Sequence, residues 1–249
     1  MNPQTLLITG GSRGIGAATA RLAAAQGWDV AVNYTRDAAA AQAVAAEVRA
    51  LGRRALVLQA DVAEHAQVLA MFAGIDRDWG TLTGLVNNAG VVDVPARVDE
   101  MSPKRLQRMF AINVMGSIWC AQEAVRRMST RHGGSGGSIV NLSSAAARLG
   151  SPGQYVDYAA AKGAIDTFTL GLAREVAAEG VRVNAVRPGI IETDIHASGG
   201  QPDRAAQMAP QVPMKRAGSA DEVAQAIVWL LSEASSYTTG AVVDVTGGR

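Results

Sequence analysis

A single cysteine, Cys120, is all the sequence contains, which excludes an intramolecular disulfide and fits a reducing compartment, where a lone thiol acts as a small buried hydrophobe. Charge of one sign is missing as well: 23 basic side chains face 22 acidic ones, a formal net charge of +1. No basic block is present to neutralise nucleic-acid phosphates, and no acidic tail points to the reverse kind of partner. No run approaches the roughly 18 apolar residues of a membrane span, and Met1-Asn2-Pro3-Gln4 has neither the charged nor the apolar region of a secretory signal. A cytoplasmic protein with no membrane or nucleic-acid partner is expected. The three histidines, His65, His132 and His196, have no ligand spacing with one another or with Cys120, so no metal site is expected. Aromatic residues make up 4% of the chain, with Tyr only at 34, 155, 158 and 237, and Lys occurs only at 104, 162 and 215.

What is present is a large apolar fraction, 48%, beside 18% charged residues in 249 positions. A chain of that length buries roughly three quarters of its unfolded surface and needs no staple. Short β-rich runs alternate with Ala-rich stretches of helical period from end to end, the pattern of an α/β protein with a parallel sheet. Strands are expected at 5–9, 29–33, 54–59, 84–87, 138–142, 181–186 and 241–245. Most are continuously apolar, as strands covered on both faces must be. Helices are expected at 15–26, 38–51, 66–78, 103–131, 156–179 and 221–231. Ser102-Pro103 and Ser219 with Glu222 have the form of helix N-termini, and Gly27, Gly52 and Gly180 sit where left-handed C-caps belong. Gly133-Gly134-Ser135-Gly136-Gly137 reads as a flexible surface turn, because the βα alternation continues beyond it. One domain over residues 1–249 follows.

The first strand runs into Thr9-Gly10-Gly11-Ser12-Arg13-Gly14-Ile15-Gly16 and then a helix. Glycines there let the backbone turn and approach a pyrophosphate, whose charge the free amides of the helix N-terminus stabilise. The spacing is G-x3-G-x-G rather than the general G-x-G-x-x-G, so placement between strand and helix carries the reading. An NAD site usually has a carboxylate at the end of the second strand. That stretch here is Asn33-Tyr34-Thr35-Arg36, with Asp37 beyond it, and Arg13 and Arg36 would suit a 2′-phosphate, since guanidinium offers paired donors as well as charge. NADP is therefore favoured over NAD, which stays the alternative.

Over essentially its whole length the sequence resembles the short-chain dehydrogenase/reductase family. The residues that carry the resemblance are T-G-x3-G-x-G at 9–16, Asp61-Val62, Asn87-Asn88-Ala89-Gly90, Asn113, Ser144, Tyr158-x3-Lys162, and Arg187-Pro188-Gly189 followed by Thr193. The resemblance implies a Rossmann-like, doubly wound parallel sheet of about seven strands, a nicotinamide cofactor, carbonyl/alcohol redox chemistry and a homotetramer. By the same resemblance Asp61 and Val62 meet the adenine, Asn88, Ala89 and Gly90 line the cofactor, and Ile191 and Thr193, after Pro188 and Gly189, receive the nicotinamide carboxamide.

The chemistry of the residues points the same way. Tyr158 and Lys162 lie four apart on an expected helix and share a face. With four tyrosines and three lysines, chance supplies only about 0.05 such pairs in the chain, and the rival Tyr155 has Ala159 four residues on. A phenol with a pKa near 10 is too weak an acid near neutrality, and an adjacent ammonium would lower it. Ser144, at the end of the fifth strand, is assigned to hydrogen-bond the substrate oxygen, with Ser143 as competitor. The segment from Ser144 to Tyr158 is one residue longer than in many relatives of the family. Asn113, mid-helix, is by resemblance the residue that positions a water behind Lys162; otherwise it is a solvated or back-bonding side chain.

The expected activity is hydride transfer between nicotinamide and a small-molecule carbonyl or secondary alcohol, with Tyr158 as general acid/base. Alternatives are a 3-oxoacyl carrier-protein reductase, with Arg126, Arg127, Arg131 and Arg174 as contacts for an acidic carrier or simply as a solvated face, a sugar or polyol dehydrogenase, and a cofactor-binding sensor without catalysis. Residues 194–216, rich in Gly and Pro, read as a substrate loop in which His196 is either a contact or a bystander.

Overall fold

The computed structural model describes residues 4–249; Met1 to Pro3 lie outside the described residues. All seven expected strands form: β1 (Thr5–Ile8), β2 (Asp29–Tyr34), β3 (Ala55–Gln59), β4 (Gly84–Asn87), β5 (Gly137–Leu142), β6 (Val181–Pro188) and β7 (Val242–Val245). They make one fully parallel sheet in the order β3-β2-β1-β4-β5-β6-β7. The order reverses between β1 and β4, and a doubly wound sheet opens its ligand crevice at such a point, beyond the carboxyl ends of the strands.

Parity along β1 shows why the strands are apolar without interruption. Leu6 and Ile8 belong to a core on one face, with Val30, Val32, Val86, Val140 and Val186, while Leu7 belongs to a second core on the other, with Ala31, Leu85, Ile139 and Val183. Helices α1 (Gly14–Ala25), α2 (Ala38–Ala50) and a C-terminal helix, Ala220–Leu231, cover the first face. Helix α3 (His65–Trp79) and later helices cover the second through Phe72, Ile75, Cys120, Met128 and Val176. Each fully buried aliphatic or aromatic side chain contributes about 1.5–3 kcal/mol. Burial pushes the Cys120 thiol up to about 12, so it stays protonated and serves as packing.

The expected single helix over 103–131 is interrupted. It consists of α4 (Pro103–Phe110), a π-helical turn at Ala111–Met115, α5 (Gly116–Met128) and a short 3₁₀ turn at Thr130–His132. The cause is tertiary. Asn113 donates back to the carbonyl of Met109 at 3.0 Å and also grips Val91, donating to its carbonyl at 3.0 Å and accepting from its amide at 3.2 Å. At Gly116 the helix passes so close to Val62 that a Cβ would lie 2.7 Å from its Cγ2.

The helix expected at 156–179 runs as α7 below, after the four-residue α6 (Ala146–Leu149): α7 (Val156–Val176) ends in a 3₁₀ turn at Ala177–Glu179, and Gly180 follows at φ +79°. The 194–216 segment carries α8 (Ile195–Ser198), α9 (Arg204–Met208) and a 3₁₀ turn at Ala209–Gln211 before α10 (Ala220–Leu231). The Ser219 hydroxyl accepts from the Glu222 amide at 3.2 Å while the Glu222 carboxylate accepts from the Ser219 amide at 2.9 Å, the expected reciprocal cap. The glycine-rich turn at 133–137 is less free than its composition suggests: a Cβ on Gly134 would stand 2.3 Å from the carbonyl oxygen of Arg127, and Gly137 already belongs to β5. Among the described residues, no helix is long and apolar enough to cross a membrane.

Candidate active site

The glycine loop leaves β1 at the switch point and is held from both flanks. Gly10 adopts φ +61° and Gly14 φ +53°, conformations that cost a side-chain-bearing residue energy. At Gly16 a Cβ would lie 2.5 Å from the Gly10 carbonyl oxygen and 2.6 Å from Asn88 Nδ2, so only glycine lets α1 approach the loop this closely. The Asn88 side chain donates to the carbonyls of Thr9 and Gly10, each at 2.9 Å, and the Thr9 hydroxyl accepts from the amides of Asn88 and Ala89, each at 3.0 Å. From the opposite side Asn33 Oδ1 accepts from the Gly10 amide at 3.1 Å, and its Nδ2 donates to the carbonyls of Leu58 and Ala60 at 3.2 and 3.0 Å. Asn33, expected at the cofactor, is thus a buried strut beneath the loop with both ends of its amide engaged.

The loop presents a built anion cradle. The first bond of α1 runs from the Ala17 amide to the Arg13 carbonyl at 3.2 Å; among the described residues the amides of Gly14, Ile15 and Gly16 meet no protein acceptor, and no side chain caps the helix. Ser12 lies in the same turn. Arg13 and Arg36 are exposed and, among the described residues, neither guanidinium has a protein partner. Asp37, the nearest carboxylate, is occupied as the N-cap of α2, accepting from the Ala40 amide at 2.9 Å. Tyr34 is half-buried and Thr35 exposed beside Arg36. Across the crevice, Asp61 folds its carboxylate onto the Ala63 amide at 3.0 Å, and the Val62 side chain is buried against Gly116. These residues fit a dinucleotide phosphate group: donors are unspent, cations are unpaired and the one acid nearby is committed elsewhere.

Beyond the ends of β4, β5 and β6 the crevice continues as a cleft lined by Ile15, Asn88, Gly90, Ser144, Tyr158, Lys162, Pro188, Gly189, Ile191 and Thr193. The Ser143 side chain is buried and donates to the Lys162 carbonyl at 3.3 Å. The Ser144 hydroxyl oxygen accepts from the Ala146 amide at 3.1 Å. Lys162 lies one turn beyond Tyr158 on α7 and donates to the Leu142 carbonyl at 2.7 Å, its Nζ 5.6 Å from the centre of the Tyr158 ring. Burial pushes the Tyr158 phenol up to about 12, with hydrogen bonding by Ser144 pulling the other way, while burial pushes Lys162 down to about 8, opposed by Asp166. Desolvation sets the direction for the phenol, and the Lys162 ammonium is tied to the Leu142 carbonyl at the end of β5. Asn113 is fully buried, and its Oδ1 would be 2.9 Å from a Cβ on Gly90, whose Cβ would in turn be 3.6 Å from Lys162 Nζ. Asn113 therefore backs the cleft at the Lys162 end rather than facing solvent.

Three features escaped the sequence reading. Arg105 of α4 and Asp157, the residue before Tyr158, form a buried ion pair, and Arg105 also donates to the Val94 carbonyl at 2.6 Å. Asp166, four residues after Lys162, accepts twice from Arg187 of β6 at 2.8 and 3.0 Å. The third is a clasp between the segment before α7 and the 194–216 segment, in which the Tyr155 hydroxyl donates to Gln201 Oε1 at 2.8 Å beside Arg204. An acid directly before the tyrosine was the only signal for any of them. The His196 side chain lies outside the described residues. Of the arginines considered for an acidic carrier, Arg126, Arg127 and Arg131 are engaged with the carboxylates of Glu123, Asp76 and Glu179, and Arg174 is exposed.

A parallel seven-stranded sheet with a phosphate cradle at its switch point and a Ser-Tyr-Lys cleft beside it defines an NAD(P)-dependent oxidoreductase. The chain belongs to the short-chain dehydrogenase/reductase family: residues 10–249 match the family profile described as enoyl-(acyl carrier protein) reductase. It is 55% identical to the uncharacterized oxidoreductase YgfF of Escherichia coli, over 98% of each chain. It is 35% identical to 3-oxoacyl-(acyl-carrier-protein) reductase FabG of Staphylococcus aureus, over 98% of this chain and 97% of that protein. Among solved structures, a short chain dehydrogenase from Burkholderia cenocepacia in complex with NADP superposes with a TM-score of 0.90 at 34% identity, covering 98% of this chain and 97% of that one.

Proposed function

We propose that the protein is an NADP-preferring carbonyl reductase or secondary-alcohol dehydrogenase in which Tyr158 moves the proton. The observation that carries this reading is the shared cleft: Ser144, Tyr158 and Lys162 line one wall of it, and the same cleft reaches Gly90, Gly189, Ile191 and Thr193 on the way to the glycine loop. NADP preference rests on the two unpaired arginines, Arg13 and Arg36, and on the engagement of Asp37 in a helix cap. The Burkholderia relative solved with NADP supports it.

When bound, a reduced nicotinamide supplies a hydride to the carbonyl carbon. Ser144 hydrogen-bonds the substrate oxygen as negative charge develops, and the Tyr158 hydroxyl, protonated at neutral pH, gives that oxygen its proton. In the oxidising direction the same phenol oxygen must first lose its proton. Lys162 holds a positive charge one helical turn away and is placed to hold the cofactor ribose. Asn113 keeps the adjoining helix and the loop after β4, through Val91, at the Lys162 end of the cleft. The 194–216 segment closes over the substrate.

A subunit interface in a homotetramer accounts for Phe110 and Met115 beside the π-helical turn and Leu170 on α7, large apolar side chains left about 40% exposed. Light scattering on the purified protein tests this. A cytoplasmic location fits the balanced charge and the lone inert thiol. An NADPH and NADH oxidation screen over ketones, 3-oxoacyl thioesters, aldoses and quinones tests the activity: turnover of at least one carbonyl class is expected. Absence of turnover across the panel would leave a cofactor-binding sensor as the better reading.

A further inference from the structure

The charged residues that line the catalytic cleft are Lys162, Arg204 and Arg249, and no aspartate or glutamate joins them among the described residues. Lys162 is spent on the Leu142 carbonyl and the catalytic wall. Arg204 is not spent in the same way. Its guanidinium donates to Gln201 Oε1 and Gln154 Oε1, each at 2.7 Å, and lies 5.1 Å from the centre of the buried Tyr155 ring. All of these partners are neutral. Other arginines near the cleft, Arg105, Arg148, Arg187 and Arg216, each have a carboxylate within salt-bridge distance. Two of the five donors of Arg204 are occupied, its charge is uncompensated, and the clasp of Gln154, Tyr155 and Gln201 orients it. The same cleft lining includes the apolar side chains of Val92, Leu149, Ile190 and Ile195.

We infer that the substrate is an oxo acid, or the matching hydroxy acid, whose carboxylate pairs with Arg204 while its carbonyl meets Ser144 and Tyr158. This rests on the carbonyl-reductase reading and adds the substrate class to it. A planar carboxylate matches the guanidinium fork with two parallel hydrogen bonds, and an aliphatic spacer matches the apolar walls.

The test uses straight-chain oxo acids with the ketone two to six bonds from the carboxylate, each beside its methyl ester, with NADPH as reductant. The wild-type protein is expected to prefer the acid over its ester at least tenfold in kcat/KM at one chain length. Arg204→Gln is expected to reduce that acid-to-ester ratio by tenfold or more, and Arg204→Lys to restore part of it. A purely structural clasp would lower both substrates together and leave the ratio unchanged, which overturns the inference, as does a wild-type ratio at or below one. A ratio lost in Arg249→Gln but kept in Arg204→Gln overturns the assignment to Arg204. If no ketone is reduced, the carbonyl-reductase reading fails, and calorimetry on the NADPH-loaded protein decides the charge assignment separately. Acid binding that weakens tenfold in Arg204→Gln then supports it; unchanged or undetectable acid binding overturns it.

Discussion

Arg105 and Asp157 meet in a two-point ion pair, Nε to Oδ2 at 2.8 Å and Nη2 to Oδ1 at 3.1 Å, immediately before the tyrosine at the centre of the site. Both side chains are almost fully buried, and the third arm of the guanidinium holds the Val94 carbonyl. The pair ties α4, the loop after β4 and the start of α7 into one unit, so it fixes where Tyr158 enters the cleft. Removing one partner strands a buried charge. Arg105→Ala is expected to cost about 3–5 kcal/mol, seen as a lower midpoint in denaturant unfolding. The double substitution Arg105→Leu with Asp157→Leu should recover much of that loss while kcat remains depressed. Equal stability of Arg105→Ala and the wild type would contradict this account of the pair.

Cofactor choice follows from which charges at the end of β2 are free. Arg36→Asp places a carboxylate where a 2′-phosphate would sit and removes a paired donor. A charge-assisted hydrogen bond contributes about 1.5–3 kcal/mol, so the NADPH-to-NADH ratio in kcat/KM should fall by about ten- to a hundredfold. Steady-state kinetics with both cofactors measures it, and an unchanged ratio refutes the role of Arg36.

The pH dependence follows from the opposite effects of burial on a phenol and an ammonium. Burial disfavours the charged form of each, lifting Tyr158 to about 12 and lowering Lys162 to about 8. Below pH 8 Lys162 is charged and Tyr158 protonated, the pair that reduction needs. Above pH 8 the ammonium loses its proton, and kcat/KM for reduction should fall, with roughly a tenth remaining one unit higher. Lys162→Arg keeps its charge across that range and should abolish the break near pH 8 while lowering the plateau. A reduction profile flat from pH 6 to 10 in the wild type would show that Lys162 does not titrate in the site.

The sheet was legible because strands buried on both faces are written as uninterrupted apolar runs, and all seven appear within three residues of their expected bounds. The caps at Ser102 and Ser219 were legible because their chemistry is local. The interruption at Ala111–Met115 was not, since helical periodicity runs straight through it and its cause is a grip on Val91, 22 positions away. Asn33 was placed correctly at the end of β2, yet its side chain points under the glycine loop, where it accepts from Gly10. Strand parity set that direction, and composition did not reveal it. Likewise Ser143 and Ser144 differ by one position just past β5, and the first donates its hydroxyl to the backbone of α7 while the second accepts from the Ala146 amide. Arg105 with Asp157, and Arg204 with Gln154, join residues 52 and 50 positions apart. Such pairs depend on how helices dock, which no local pattern encodes.

The central claim is that the Tyr158 hydroxyl transfers the proton, and one paired measurement tests it most directly. Tyr158→Phe deletes a single oxygen and leaves the ring in place. With the best carbonyl substrate from the screen, kcat should fall by about 10²–10⁴-fold, while a fluorescence titration shows NADPH binding within a few-fold of the wild type. Turnover retained in the phenylalanine variant, with NADPH bound, would contradict the account.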